Sequence, residues 1–235
     1  MELGRTQEAL ARARAIAAAT EASGDTKSLI EVRAVEAAIL LASEDKRDEA
    51  AATWLAESAL RHRSAEIIAL ALPVAAAVLV RDHPERAASL ISTADETAGA
   101  HDTPYWGRAL PQMIRTALAT NHPDLSVRLT DQVSPRYPLE AHGLLTARAA
   151  IAEHGQDFET AADSYTRVAQ AWLEFGHLPE RAAALLGRGR CLVALGKPNA
   201  EQALQQAHEL FASMGYKAAL TETQNLLNQN SLPTL

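Results

Sequence analysis

Between Trp106 and Ala117 the apolar side chains return at helical intervals. Trp106, Leu110, Met113, Ile114 and Ala117 share one face when residues are spaced about 100° apart, and Arg108, Gln112 and Arg115 share the opposite one. A similar rhythm runs through most of the chain, interrupted by short stretches rich in Gly, Pro, Asp and Asn. The interruptions predict helices near 5–22, 26–42, 47–61, 64–81, 84–98, 104–120, 123–133, 139–154, 157–175, 179–195, 199–213 and 217–229. Trp54, Trp106 and Trp172 all fall within these helices and are expected in the core.

The boundaries are chemically marked. In "DHPE" and "NHPD" the proline falls where a new helix begins, a place where its missing N–H costs nothing, and an acidic residue follows in the positive first turn. "DTPYWG" repeats the device, with Thr103 as the expected N-cap and Pro104 at the first helical position. "FGHLPER" places Gly176 after one helix and Pro179 at the start of the next.

The helices come in a repeating order. The starts "GRTQEALARA", "DKRDEAAATW", "DHPERAASLI", "NHPDLSVRLT", "GQDFETAADSY" and "GKPNAEQALQQA" recur about every 40 residues, a period that belongs to stacked two-helix units. A hairpin of that size cannot bury its own apolar stripe without neighbours. The expected fold is therefore all-α, an α-solenoid of antiparallel helical hairpins forming one domain over residues 1–235. Pro73 and Pro111 sit one repeat apart inside consecutive first helices of a hairpin and should bend both alike. The opening segment matches a second helix whose partner is missing, so the chain is expected to be a C-terminal fragment of a longer protein.

Composition narrows the function. Alanine-rich wording with few aromatics favours helices that approach closely. A formal net charge of −7 argues against general nucleic-acid binding, which needs an excess of basic groups. Cys191 is the only cysteine, so no intramolecular disulfide and no cysteine-based zinc cluster can form; with no visible secretion signal, this fits a cytoplasmic protein. The most apolar run, from Ile67 to Val80, contains Pro73 and falls short of the roughly 20 residues a membrane span requires, so it reads as a buried helix.

No signature of catalysis emerges. The chain lacks a phosphate-binding glycine loop, a His-Glu-x-x-His motif and a Gly-x-Ser-x-Gly turn. "LGRGR" at 186–190 has no strand before it; Gly187 and Gly189 are expected to permit close helix contact. His83, His122 and His154 each follow a first helix of a hairpin, where an imidazole can bond free carbonyls, and no cofactor or metal is implied. The candidate surface is the polar trio Arg108, Gln112 and Arg115, with Arg148 and Arg188 at comparable heights on later helices, a basic track suited to an acidic peptide or domain.

The segments "AWLEFGHLPERAAALLGRGRCLVALGKP", "ELFASMGYKAALTETQNLL" and "ALPQMIRTALATNHPDLSVRL" resemble the C-terminal tetratricopeptide-like region of multidomain signalling proteins of high-GC bacteria. These carry an adenylate or guanylate cyclase domain followed by an ATPase module; LuxR-type regulators are related. The resemblance covers roughly residues 105–229 and lacks the Trp and Gly-Tyr signals usual in the first helix of that repeat. It implies a regulatory scaffold without enzyme activity of its own, binding a peptide, a partner protein or another domain of the parent chain. The alternatives are a small-molecule sensor with an enclosed helical pocket and a self-association module forming a homodimer.

Overall fold

The computed structural model describes residues 5–44, 46–131 and 133–230. Among them are twelve α-helices and no strand: α1 (Thr6–Ser23), α2 (Thr26–Glu44), α3 (Glu49–His62), α4 (Ala65–Leu79), α5 (Pro84–Glu96), α6 (Pro104–Ala119), α7 (Pro123–Asp131), α8 (Pro138–His154), α9 (Phe158–Phe175), α10 (Leu178–Ala194), α11 (Ala200–Met214) and α12 (Lys217–Asn230). A short 3-10 turn, Ala100–Asp102, precedes α6. The all-α reading of the sequence is thus the observed one.

The punctuation works largely as its chemistry dictates. Pro84, Pro104, Pro123 and Pro138 each open a helix, and Gly176 ends α9 in the left-handed region at φ 82°. Asp48 and Asp157 cap α3 and α9 by accepting the backbone N–H of Ala51 and Thr160. Thr103 departs from expectation. It occupies the N-cap position of α6 in extended backbone, yet its hydroxyl donates backwards to the Ala100 carbonyl at 2.8 Å and leaves the helix start uncapped by a side chain. The 3-10 turn in front of α6, absent from the sequence reading, supplies that acceptor.

Helices adjacent in sequence pack against each other, and α2, α4, α6 and α8 also pack side by side in that order. The apolar run read as a buried helix is α4, which touches α2, α3, α5 and α6 and buries Ile67, Leu72 and Leu79 almost completely. No described helix is long and apolar enough to cross a membrane. One core runs from α2 to α8, and a second fills the space from α8 to α12. Helix α8 joins them, giving Leu144 and Ala147 to the first and Ala149 to the second.

Helices far apart in the chain meet. Helix α12 packs on α2, Ala42 at the end of α2 packs against the second core, and the Thr6 hydroxyl donates to the Met214 carbonyl at 2.9 Å in a buried contact. Helix α1 lies on α2 with Leu10, Ala13 and Ala17 buried.

Close helix approach rests on missing side chains. A Cβ on Gly107 would lie 2.5 Å from Glu140 Cγ and 2.9 Å from its Cα, and a Cβ on Gly143 would lie 2.5 Å from the Gly107 carbonyl oxygen. That carbonyl is the one which Pro111, four residues on in α6, cannot bond. The freed oxygen faces α8 where α8 has no side chain. Gly187 and Gly189 behave as expected of close contacts: Cβ atoms there would strike the Tyr165 ring of α9 and the Leu204 side chain of α11.

Gly143→Ala must displace backbone, and should cost about 1–3 kcal/mol, lowering Tm by about 2–4 °C per kcal/mol. At Gly155 a Cβ would meet only carbonyl oxygens at 3.5 and 3.6 Å, an ordinary contact, so Gly155→Ala should leave Tm unchanged or slightly raised. Thermal denaturation of the two variants checks the contrast.

Candidate functional site

Helix α6 divides as its spacing requires. Trp106, Leu110, Met113, Ile114 and Ala117 are buried, Arg108 is exposed, and Gln112 and Arg115 are half-buried. Arg115 is engaged. Its Nη1 and Nη2 donate to Glu180 Oε2 and Oε1 of α10 at 3.0 and 2.7 Å, a two-pronged ion pair between helices 65 residues apart. Gln112 Oε1 accepts a longer bond from the same guanidinium at 3.5 Å, while its amide nitrogen donates to Thr116 Oγ1 at 3.3 Å.

Glu180 is held in place by its helix. It lies in the first turn of α10, and its backbone N–H donates to His177 Nδ1 at the N-cap. Burial pushes the Glu180 carboxyl up, but the Arg115 charge and hydrogen bonds outweigh burial and hold it below its ordinary value. Burial likewise works against the Arg115 cation, and Glu180 outweighs it there too, so the guanidinium is held above its ordinary value.

Arg148 is exposed on α8, and Arg188 is half-buried on α10, between the two glycines that face α9 and α11. Neither makes an ion pair among the described residues. The five residues therefore differ in kind: the charge of Arg115 is met from within the molecule, and those of Arg148 and Arg188 are not.

Three further groups carry charge chemistry that the sequence reading did not single out. Glu153, near the end of α8, accepts from Arg190 Nε at 2.6 Å and Nη2 at 3.0 Å and from the Tyr165 hydroxyl at 2.6 Å. Arg190 also donates to Glu222 of α12 at 2.9 Å, so one guanidinium ties α8, α10 and α12 together. Burial and the Glu153 charge push the Tyr165 phenol up, and beside this cluster the Cys191 thiol is pushed up to about 12 by the same two causes. At neutral pH that thiol stays protonated.

A second group joins α5, the 3-10 turn and α7. The buried Asp95 carboxylate receives Arg128 Nε at 3.2 Å and lies 3.2 Å from His101 Nε2, whose ring stacks on Trp106 at 4.0 Å. A third is a cleft of about 400 Å³ between α1, α2 and α3, where Trp54 is 37% exposed while Trp106 and Trp172 are 1% exposed. The expectation of a core Trp54 is thereby corrected: α3 packs mainly on α4 and leaves the indole along an open groove.

The junction histidines serve different ends. His122 Nδ1 lies 2.8 Å from the Thr120 carbonyl at the end of α6, as expected of a helix-end ligand. His83 instead points its Nε2 at Glu49 of α3, 3.1 Å away, and His154 is exposed. Among the described residues, no three His, Cys, Asp or Glu side chains are grouped to hold a metal ion. No protein-family model matches the chain, and no curated protein sequence matches it.

Because the Glu180 carboxyl is depressed in the folded chain, its contribution to stability is present above its ordinary pKa of 4.5 and fades as pH falls through the lowered folded value. Glu180→Gln should lose about 1–2 kcal/mol at pH 7, between exposed and fully buried ion pairs, and the difference from wild type should shrink steadily as pH is lowered below 4.5. Urea denaturation at pH 7 and at a series of acidic pH values measures it.

Proposed function

We propose that the chain is a tetratricopeptide-like helical-repeat scaffold, the regulatory part of a cytoplasmic bacterial signalling protein, with no catalysis of its own. It docks an acidic peptide, or an acidic face of a partner protein or parent-chain domain, through cations on its even-numbered helices. The carrying observation is charge left over. In a chain of net charge −7, Arg148 and Arg188 stay without ion pairs among the described residues, while Glu153 and Glu180 are each held at both oxygens by protein groups.

The repeat period and the side-by-side order of α2, α4, α6 and α8 support the scaffold reading. The resemblance of residues 105–229 to cyclase-associated and LuxR-type regulators supports the signalling role. Regulation would follow from unequal affinity for two states of the parent protein, since a ligand shifts an equilibrium only by its differential affinity. The absence of catalysis is supported by the protonated Cys191 thiol and by carboxylates already committed to ion pairs.

A fluorescein-labelled peptide alternating Glu and Leu tests the surface by anisotropy. Binding should weaken about tenfold on raising salt from 50 to 300 mM, and by at least about tenfold in Arg148→Glu/Arg188→Glu, while Arg12→Glu on α1 changes it by less than about twofold. Equal affinity in wild type and the double variant, with helicity intact by circular dichroism, would remove this docking surface.

A further inference from the structure

The cleft between α1, α2 and α3 is separate from the cations of α6, α8 and α10, and its chemistry points elsewhere. It is lined by Leu29, Arg33, Glu36, Ala37 and Leu40 of α2 and by Lys46 and Asp48, which precede α3. Residues 46–48 are each anchored. The Lys46 backbone N–H donates to the Leu40 carbonyl at 3.2 Å, Arg47 Nη1 donates to the Ala77 and Val78 carbonyls at the end of α4, and the Asp48 carboxylate caps α3. Anchoring on three helices holds the Lys46 backbone where its side chain lines the cleft, and its ammonium has no ion-pair or hydrogen-bond partner among the described residues.

The charged side chains of the cleft are three cations, Arg14, Arg33 and Lys46, and three carboxylates, Glu21, Glu36 and Asp48. Glu36, only 13% exposed, spends one oxygen on Arg14 Nε at 3.1 Å and the other on Arg33 Nη1 at 2.9 Å. Arg33 Nη2 reaches Glu21 at 3.5 Å. Glu36 is thus engaged at both oxygens, Glu21 and Asp48 each at one, whereas the two Nη groups of Arg14 meet no acceptor among the described residues. The lining also includes the partly exposed indole of Trp54 and the side chains of Leu40 and Val78. Cationic donors without protein acceptors, lining one cleft with a partly exposed indole, suit a ligand that is anionic at one end and flat and apolar at the other.

We propose that this cleft binds a small aromatic carboxylate, one ring system with a single anionic group, its ring against Trp54 and its carboxylate between Arg14 and Lys46. The volume of about 400 Å³ lies near the lower end of small-molecule sites and suits one ring system in preference to a peptide segment. The site does not depend on the scaffold reading above, because none of its residues belongs to the proposed docking surface.

Calorimetric titration with 2-naphthoate tests the assignment on the full chain. Wild type should bind with Kd below about 1 mM, and 2-naphthalenemethanol, the uncharged counterpart, at least about tenfold more weakly. Arg14→Gln/Lys46→Gln should weaken 2-naphthoate at least about tenfold, and Trp54→Ala by about the same factor. An acetylated dipeptide ending in tryptophan offers the same groups on a longer body and should bind at least about tenfold more weakly than 2-naphthoate. The proposal is overturned if 2-naphthoate fails to bind, binds no better than the alcohol, binds equally to a folded Arg14→Gln/Lys46→Gln variant, or binds more weakly than the dipeptide.

Discussion

At Gly107 and Gly143 the backbones of α6 and α8 come so close that neither position has room for a methyl group. Much of the arrangement depends on that constraint. Helix α8 is the element shared by the two apolar cores, and its register against α6 sets where both cores meet. Pro111 contributes by leaving the Gly107 carbonyl without its usual intrahelical donor, and the packing position that carbonyl takes up is possible only against glycine. Alanine on neighbouring faces extends the principle: Ala69, Ala75, Ala147 and Ala161 are fully buried, and small side chains cost little entropy when helices close on one another.

Ion pairs then join helices that backbone packing leaves less connected. Arg115 and Glu180 bridge α6 and α10, and Arg190 bridges α8, α10 and α12 through Glu153 and Glu222. Such pairs repay their desolvation only with good geometry, which both obtain by meeting a carboxylate through two guanidinium nitrogens. The glycines of "LGRGR" bring α10 against its flanking helices, and the same stretch carries Arg190 to Glu153. Packing and electrostatics in this half of the molecule therefore share one short segment.

The twelve helices were legible because proline, glycine and the apolar rhythm act locally, and the face division of α6 follows from spacing alone. What the sequence concealed is long-range. Glu180 reads as a first-turn acid serving its own helix, and nothing near it marks Arg115, 65 residues earlier, as its partner. Trp54 sits at a helical position like the other two tryptophans, but its exposure is decided by how α3 leans on α4, a tertiary fact. Thr103 shows the same limit at short range, where an unforeseen 3-10 turn offers its hydroxyl a better acceptor. The packing of α12 on α2 joins positions far apart in the chain, and periodicity carries no trace of it.

That contact makes α2 and α12 mutually dependent although nearly the whole chain lies between them. Hydrogen exchange on a chain lacking residues 217–235 tests it most directly. If α12 covers α2, removing it should speed exchange of the α2 amides by more than about tenfold while those of α4 keep their protection. Unchanged protection of α2 in the shortened, folded chain would contradict the account.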